Sequence, residues 1–152
     1  MNVKGWDRRG LEGLPLKLLL VALLISLSLP VVASTMDDYR TNVEEAALGA
    51  EVSRLASSIS EVHAAGEGNV RFITAGVPAG DVAIEIGGEG IDAMSVRGVV
   101  AGHVVRTMYL DDPPVRVITG TGGTMTMGES TSIRLECIRS DNRLVVLAEA
   151  SP

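Results

Sequence analysis

The chain reads as an α+β protein: one long N-terminal helix, membranous in its first half and amphipathic in its second, then a small antiparallel β-sandwich or curled β-sheet. Three observations predict this. Residues 18–33 form an apolar run behind a basic flank containing Arg8, Arg9 and Lys17. Residues 36–62 then bring apolar side chains round at intervals of three or four. Beyond Gly66-Glu67-Gly68 the pattern changes to short β-like runs separated by Gly, Pro, Asp and Asn.

The first element is the apolar segment. Counted from Leu14 it supplies about the 20 residues a bilayer requires, and Lys17 can snorkel to the near interface. Membrane lipid is therefore an expected partner of residues 14–33. Three processing outcomes fit the residues. The segment can be a secretory signal cut after Val31-Val32-Ala33, before Ser34. It can be an uncut anchor. Alternatively, Arg9, Gly10 and Leu11 mark a cut on the cytoplasmic side of the apolar run, which would leave that run on the mature protein.

The helical signal continues past the membrane. Met36, Tyr39, Val43, Ala46, Ala50, Leu55, Ile59 and Val62 follow one another by threes and fours, with a single step of five that encloses Val52. They read as one apolar face, with Asp37, Asp38, Arg40, Glu44, Glu45 and Glu51 among the solvated residues opposite. Gly66-Glu67-Gly68 stops the helix, and His63 lies in its last turn, at the negative end of the dipole. Pro30 is expected to bend or break the rod between its two halves. A continuous helix from Leu11 to Ala65 would span roughly 80 Å.

The β region offers eight candidate strands: 69–75, 82–86, 93–98, 103–110, 115–119, 124–127, 132–139 and 144–149. The last two form a hairpin, because Ile133, Leu135 and Cys137 alternate with Arg134 and Glu136, and Asp141-Asn142 suits its turn. The domain plan is thus a basic leader over 1–10, a transmembrane helix over 11–34, an amphipathic helix over 35–66 and an external β domain over 67–152.

Charge supports this topology. Of the net −6 of the 152-residue chain, residues 1–35 carry +2 from Lys4, Arg8, Arg9 and Lys17 against Asp7 and Glu12, which leaves −8 on the remainder. The positive-inside rule then places the N-terminus in the cytoplasm and the C-terminal domain outside, in a single-pass cell-membrane protein. An external domain at −8 repels phosphates, so no nucleic-acid partner is expected.

No site chemistry assembles. The single cysteine, Cys137, alternates with apolar neighbours and reads as a buried, inert thiol that forms no intrachain disulfide. His63 and His103 belong to different elements, so no metal centre is expected. The Gly87-Gly88-Glu89-Gly90 and Gly120-Thr121-Gly122-Gly123 stretches read as turns, since neither joins a strand to a helix and no lysine follows residue 17. Asp111-Asp112 ahead of two prolines reads as a rigid solvated loop. Neither a catalytic constellation nor a cofactor is expected, and the chain does not read as an enzyme.

The order of parts resembles the archaeal type IV pilin-like proteins with a class III signal peptide. Arg8-Arg9-Gly10 with Leu11 onward, the heptad-like face over 36–62, the Gly66-Glu67-Gly68-Asn69 break and the terminal hairpin over 132–149 carry the resemblance. It implies cleavage between Gly10 and Leu11 by a membrane-embedded prepilin-type peptidase. It also implies packing of the apolar helix in a filament core, by self-assembly or with related pilins. Met36, Tyr39 and Val43, near the membrane, are the expected assembly face. The competing reading is a membrane-anchored external binding or accessory domain that never polymerises.

Overall fold

The structure, a computed structural model, describes residues 9–151, with backbone alone at residues 9–14, 37 and 38. The leader proposed over 1–10 therefore lies outside the described residues up to Arg9, where the helix begins. The chain divides into two compact units between Asn42 and Val43.

Helix α1 runs over Arg9–Ala65, 57 residues, with Pro15 and Pro30 inside it. Among the described residues its first part is the one segment long and apolar enough to cross a membrane, and none of that stretch is buried. By length and composition it is a candidate membrane anchor or signal sequence. The Ser26 hydroxyl donates to the Ala22 carbonyl at 2.8 Å and the Ser28 hydroxyl to that of Leu24 at 2.7 Å. Both hydroxyls in the apolar run thus find acceptors within the helix, as apolar surroundings require. Of the bend or break expected at Pro30, no break occurs, because the helix runs through it. Proline removes one backbone donor, but the neighbouring helical bonds persist across the gap.

At its far end the helix stops where the sequence indicates. Gly66 takes φ +90° and its N–H donates to the His63 carbonyl at 3.1 Å, a left-handed cap that a side chain would strain.

Among the described residues eight strands follow, in two four-stranded sheets. The first has the order β1 (Val70–Thr74), β7 (Ser132–Ser140), β8 (Arg143–Ser151), β5 (Val117–Thr119). The second has the order β4 (His103–Tyr109), β3 (Ser95–Val100), β2 (Val82–Ile86), β6 (Met125–Met127). The fold is thus α+β, a long N-terminal helix with two small, mostly antiparallel sheets. Two details depart from the sequence expectation. β5 lies parallel to β8, with Val117 opposite Val146. The strand expected over 93–98 begins later, because Gly90–Met94 wind into a 3-10 turn in which Ser95 Oγ donates to the Asp92 carbonyl at 3.1 Å. That turn buries Ala93, the first residue of the strand expected over 93–98.

The terminal hairpin forms as its sequence indicates. Ser140 pairs with Arg143, and Asp141 and Asn142 take φ +49° and +62°, the two-residue turn whose twist matches the strands. Ile133, Leu135 and Cys137 on β7 face Ala150, Ala148 and Val146 on β8. They join Ile84, Ile86 and Val96 from the other sheet, and Leu55 and Ile59 from the helix, in one contiguous apolar core. One helix thus supplies apolar cover to both sheets.

Candidate assembly face

The amphipathic part of α1 carries two apolar stripes where the sequence pattern suggests one. Leu48, Val52, Leu55, Ala56, Ile59 and Val62 are buried, none more than 3% exposed. Met36, Tyr39 and Val43 are 56%, 68% and 48% exposed, and Ala46 and Ala50 are exposed as well. At 3.6 residues per turn, Ala50 and Leu48 point about 160° apart. The step of five from Ala50 to Leu55 marks this phase change. Residues 48, 52, 55, 59 and 62 have their own four-three-four-three spacing, offset from the spacing of 36, 39, 43, 46 and 50. Ala46 and Ala50 therefore do not belong to the buried face, and Leu48, absent from the single face read from the sequence, does. Two overlapping heptad patterns cannot be separated by listing apolar residues alone, since each residue fits one of them.

Packing fixes which stripe turns inward. Gly98 of β3 lets the helix approach: a Cβ there would stand 3.0 Å from the Leu48 side chain and 3.2 Å from that of Val52. Polar clamps lock the helix rotation at the same level. The Gly76 N–H donates to Glu51 Oε1 at 2.8 Å, and Arg54 Nε donates to Glu51 Oε2 at 3.0 Å. The Arg54 guanidinium also donates to the Thr74 carbonyl at 2.7 Å. Arg54, followed by the Gly76 N–H, holds the Glu51 carboxyl below its ordinary pKa, against the opposing effect of burial. Further along, Arg71 of β1 pairs with Glu61. With the inner stripe seated and the helix clamped, Ala50 faces away from the sheets, and over 15–47 every described side chain of the helix is exposed, those of Met36, Tyr39, Val43 and Ala46 among them.

That outer stripe has the chemistry of a helix-packing seam. Val43, Ala46 and Ala50 are spaced three and four, Met36 and Tyr39 extend the same three-four series, and the alanines permit close approach of a second helix. Glu44 and Glu45 beside it form no ion pair among the described residues. Arg9, Gly10 and Leu11 lie in the first residues of α1; their side chains lie outside the described residues.

The remaining residues singled out from sequence are scattered. Cys137 is fully buried in β7, where burial first, then Glu67, raises its thiol pKa. His63 is half-buried in the last helical turn and His103 is exposed at the start of β4. Among the described residues no group of three or more His, Cys, Asp or Glu is placed to hold a metal ion. The Gly120–Gly123 stretch is a turn closed by Thr119 Oγ1, which donates to the Gly123 carbonyl at 2.6 Å. Gly87 packs so tightly that a Cβ would stand 2.8 Å from Thr119 Cγ2. Comparison of the chain with protein-family models, with curated proteins and with solved structures yields no match.

Proposed function

We propose that this protein is a membrane-anchored, pilin-like cell-surface protein, a structural or minor subunit of a type IV pilus-like filament. The observation that supports the reading is the exposed apolar stripe of α1, Met36, Tyr39, Val43, Ala46 and Ala50, distinct from the stripe from Leu48 to Val62 that the domain buries. A soluble monomer gains nothing from a second apolar seam, whereas an assembling helix buries it against neighbours. In this reading residues 14–33 sit in lipid before assembly, the N-terminus is cytoplasmic and the β domain is outside. A prepilin-type peptidase cuts between Gly10 and Leu11 on the cytoplasmic face.

The mature N-terminus tests this. Mass spectrometry of the protein from membranes and from sheared surface material should find a chain beginning at Leu11. Gly10→Phe should leave the leader attached while membrane insertion continues. A chain beginning at Ser34, or an uncut Met1, would overturn the filament assignment.

The non-polymerising anchored domain is favoured by one feature, the Leu11-Glu12-Gly13-Leu14-Pro15-Leu16-Lys17 segment. Its glutamate, glycine, proline and lysine interrupt what would be the head of a filament-core helix, and lipid interfaces tolerate them better than a packed helical core. Protein that is cut at Leu11 yet never found in sheared surface material would select this second reading.

A further inference from the structure

The β domain carries a second surface with interface chemistry, distant in sequence from the helix stripe. The described aromatic side chains are all exposed: Tyr39 and Phe72 at 68%, Tyr109 at 53%. The core is built of aliphatic residues, and the rings that commonly anchor protein interfaces are left outside. Tyr109 stands beside Ile91, itself 63% exposed, and the two line a hollow of about 270 Å³ with Met94, Pro114 and Asp111. Met94 and Pro114 also line a neighbouring hollow of about 610 Å³, together with Arg116 and Arg143. The two hollows thus form one continuous surface with an apolar centre.

Charge gives this surface a direction. Arg54, Arg71, Arg97, Arg134 and Arg139 each pair with an acid, whereas Arg116 and Arg143 pair with none among the described residues. At the other end Asp111 and Asp112 likewise form no ion pair, and a shallow groove continues past them to Glu61, which Arg71 neutralises. Asp141 lines the arginine end and offsets one of its two charges. The order across the surface is therefore cationic, apolar, anionic. The aspartate loop is held in place by its backbone, since Leu110 N–H donates to Met94 O and Val115 N–H to Leu110 O, both at 2.8 Å. Little ordering is then lost on contact.

We propose that this surface is an isologous interface that takes a second copy of this chain. A two-fold axis near Met94 and Pro114 brings Arg116 and Arg143 of each copy against Asp111 and Asp112 of the other, and Ile91 and Tyr109 are buried around the axis. A surface with opposite charges on either side of an apolar centre is complementary to itself under that rotation. The contact is independent of the helix stripe and of the filament reading.

Charge reversal in the full-length protein, in membranes or detergent micelles, tests the pairing. Met94→Cys, close to the axis, should give a dimer with a short bismaleimide, while the buried Cys137 stays silent. Adding Arg116→Asp with Arg143→Asp, or Asp111→Arg with Asp112→Arg, should each lower the cross-linked fraction by about tenfold or more through like-charge contact. Co-expression of the two reversed chains should restore it, because the mixed dimer re-forms every opposite-charge pair; a variant that had merely misfolded would show no such rescue. Tyr39→Asp should leave the cross-link intact. No dimer from Met94→Cys, dimers indifferent to charge reversal, or no rescue on mixing would each overturn the interface.

Discussion

Cys137 illustrates how far a single residue can be read. Its alternation with Leu135 and Ile133 marks it as buried, and it is 0% exposed. Its backbone also holds the turn after the helix: the Gly68 N–H donates to its carbonyl at 2.8 Å and its own N–H donates to the Asn69 carbonyl at 2.9 Å. Cys137→Ser should therefore destabilise the fold by about 1–3 kcal/mol, by burying a hydroxyl where the thiol needs no partner. Chemical denaturation measures this, and the wild-type thiol should resist alkylation until unfolding. Glu51 supports a pH prediction. Its folded pKa lies below the ordinary value of 4.5, chiefly through Arg54 and then the Gly76 N–H. The stability it contributes is therefore complete above that value and is lost as pH falls through the lower folded pKa. Thermal unfolding followed from pH 6 to 3 should show a decline below about pH 4.5, smaller in Glu51→Gln, because glutamine cannot reward deprotonation.

At the scale of the element, α1 is two helices' worth of pattern on one rod. The inner stripe packs on the domain, so Ile59→Ala or Leu55→Ala should destabilise it by roughly 2–5 kcal/mol, the usual result of truncating a fully buried aliphatic side chain. The outer stripe contributes nothing to the monomer, so Val43→Ala should shift its stability by less than about 0.5 kcal/mol, and in the filament reading it should impair assembly. Unfolding curves of the three variants, with sheared-filament yield for Val43→Ala, distinguish the two stripes. Equal, negligible changes at all three positions would contradict the packing around Leu55 and Ile59. Gly98 links helix to sheet. Any larger residue there pushes on Leu48 and Val52, and Gly98→Val should destabilise by about 1–3 kcal/mol through overpacking.

At the scale of the molecule, α1 spans the boundary between the two compact units, and all eight strands lie in the second. The fold carries two kinds of surface that a self-sufficient monomer would not need: an apolar helix seam, and a β-domain patch with opposite charges on its two sides. The first belongs to the filament proposal and the second to the proposed dimer. They predict separable phenotypes. A stripe variant such as Tyr39→Asp should abolish assembly while Met94→Cys cross-linking persists. The Arg116→Asp/Arg143→Asp variant should lose the cross-link and keep the stripe exposed for helix packing. Quantifying both readouts in the same membranes checks whether the two surfaces act independently.

By itself the sequence determined the features set by neighbours in the chain. The stop of the helix at Gly66, the eight strand regions and the Asp141-Asn142 hairpin depend on local periodicity and on residues that tolerate positive φ. Both are visible in one dimension. The burial of Leu55, Ile59, Val62 and Cys137 was legible for the same reason. The tertiary structure alone decided which of two interleaved stripes turned inward, because only the contact at Gly98 and the clamp through Glu51 and Arg54 fix the helix rotation. It also decided the parallel pairing of β5 with β8, a long-range choice that no turn residue encodes. The surface from Arg143 to Asp112 was invisible in sequence, because its residues come from three separate segments that only the packed sheets bring together.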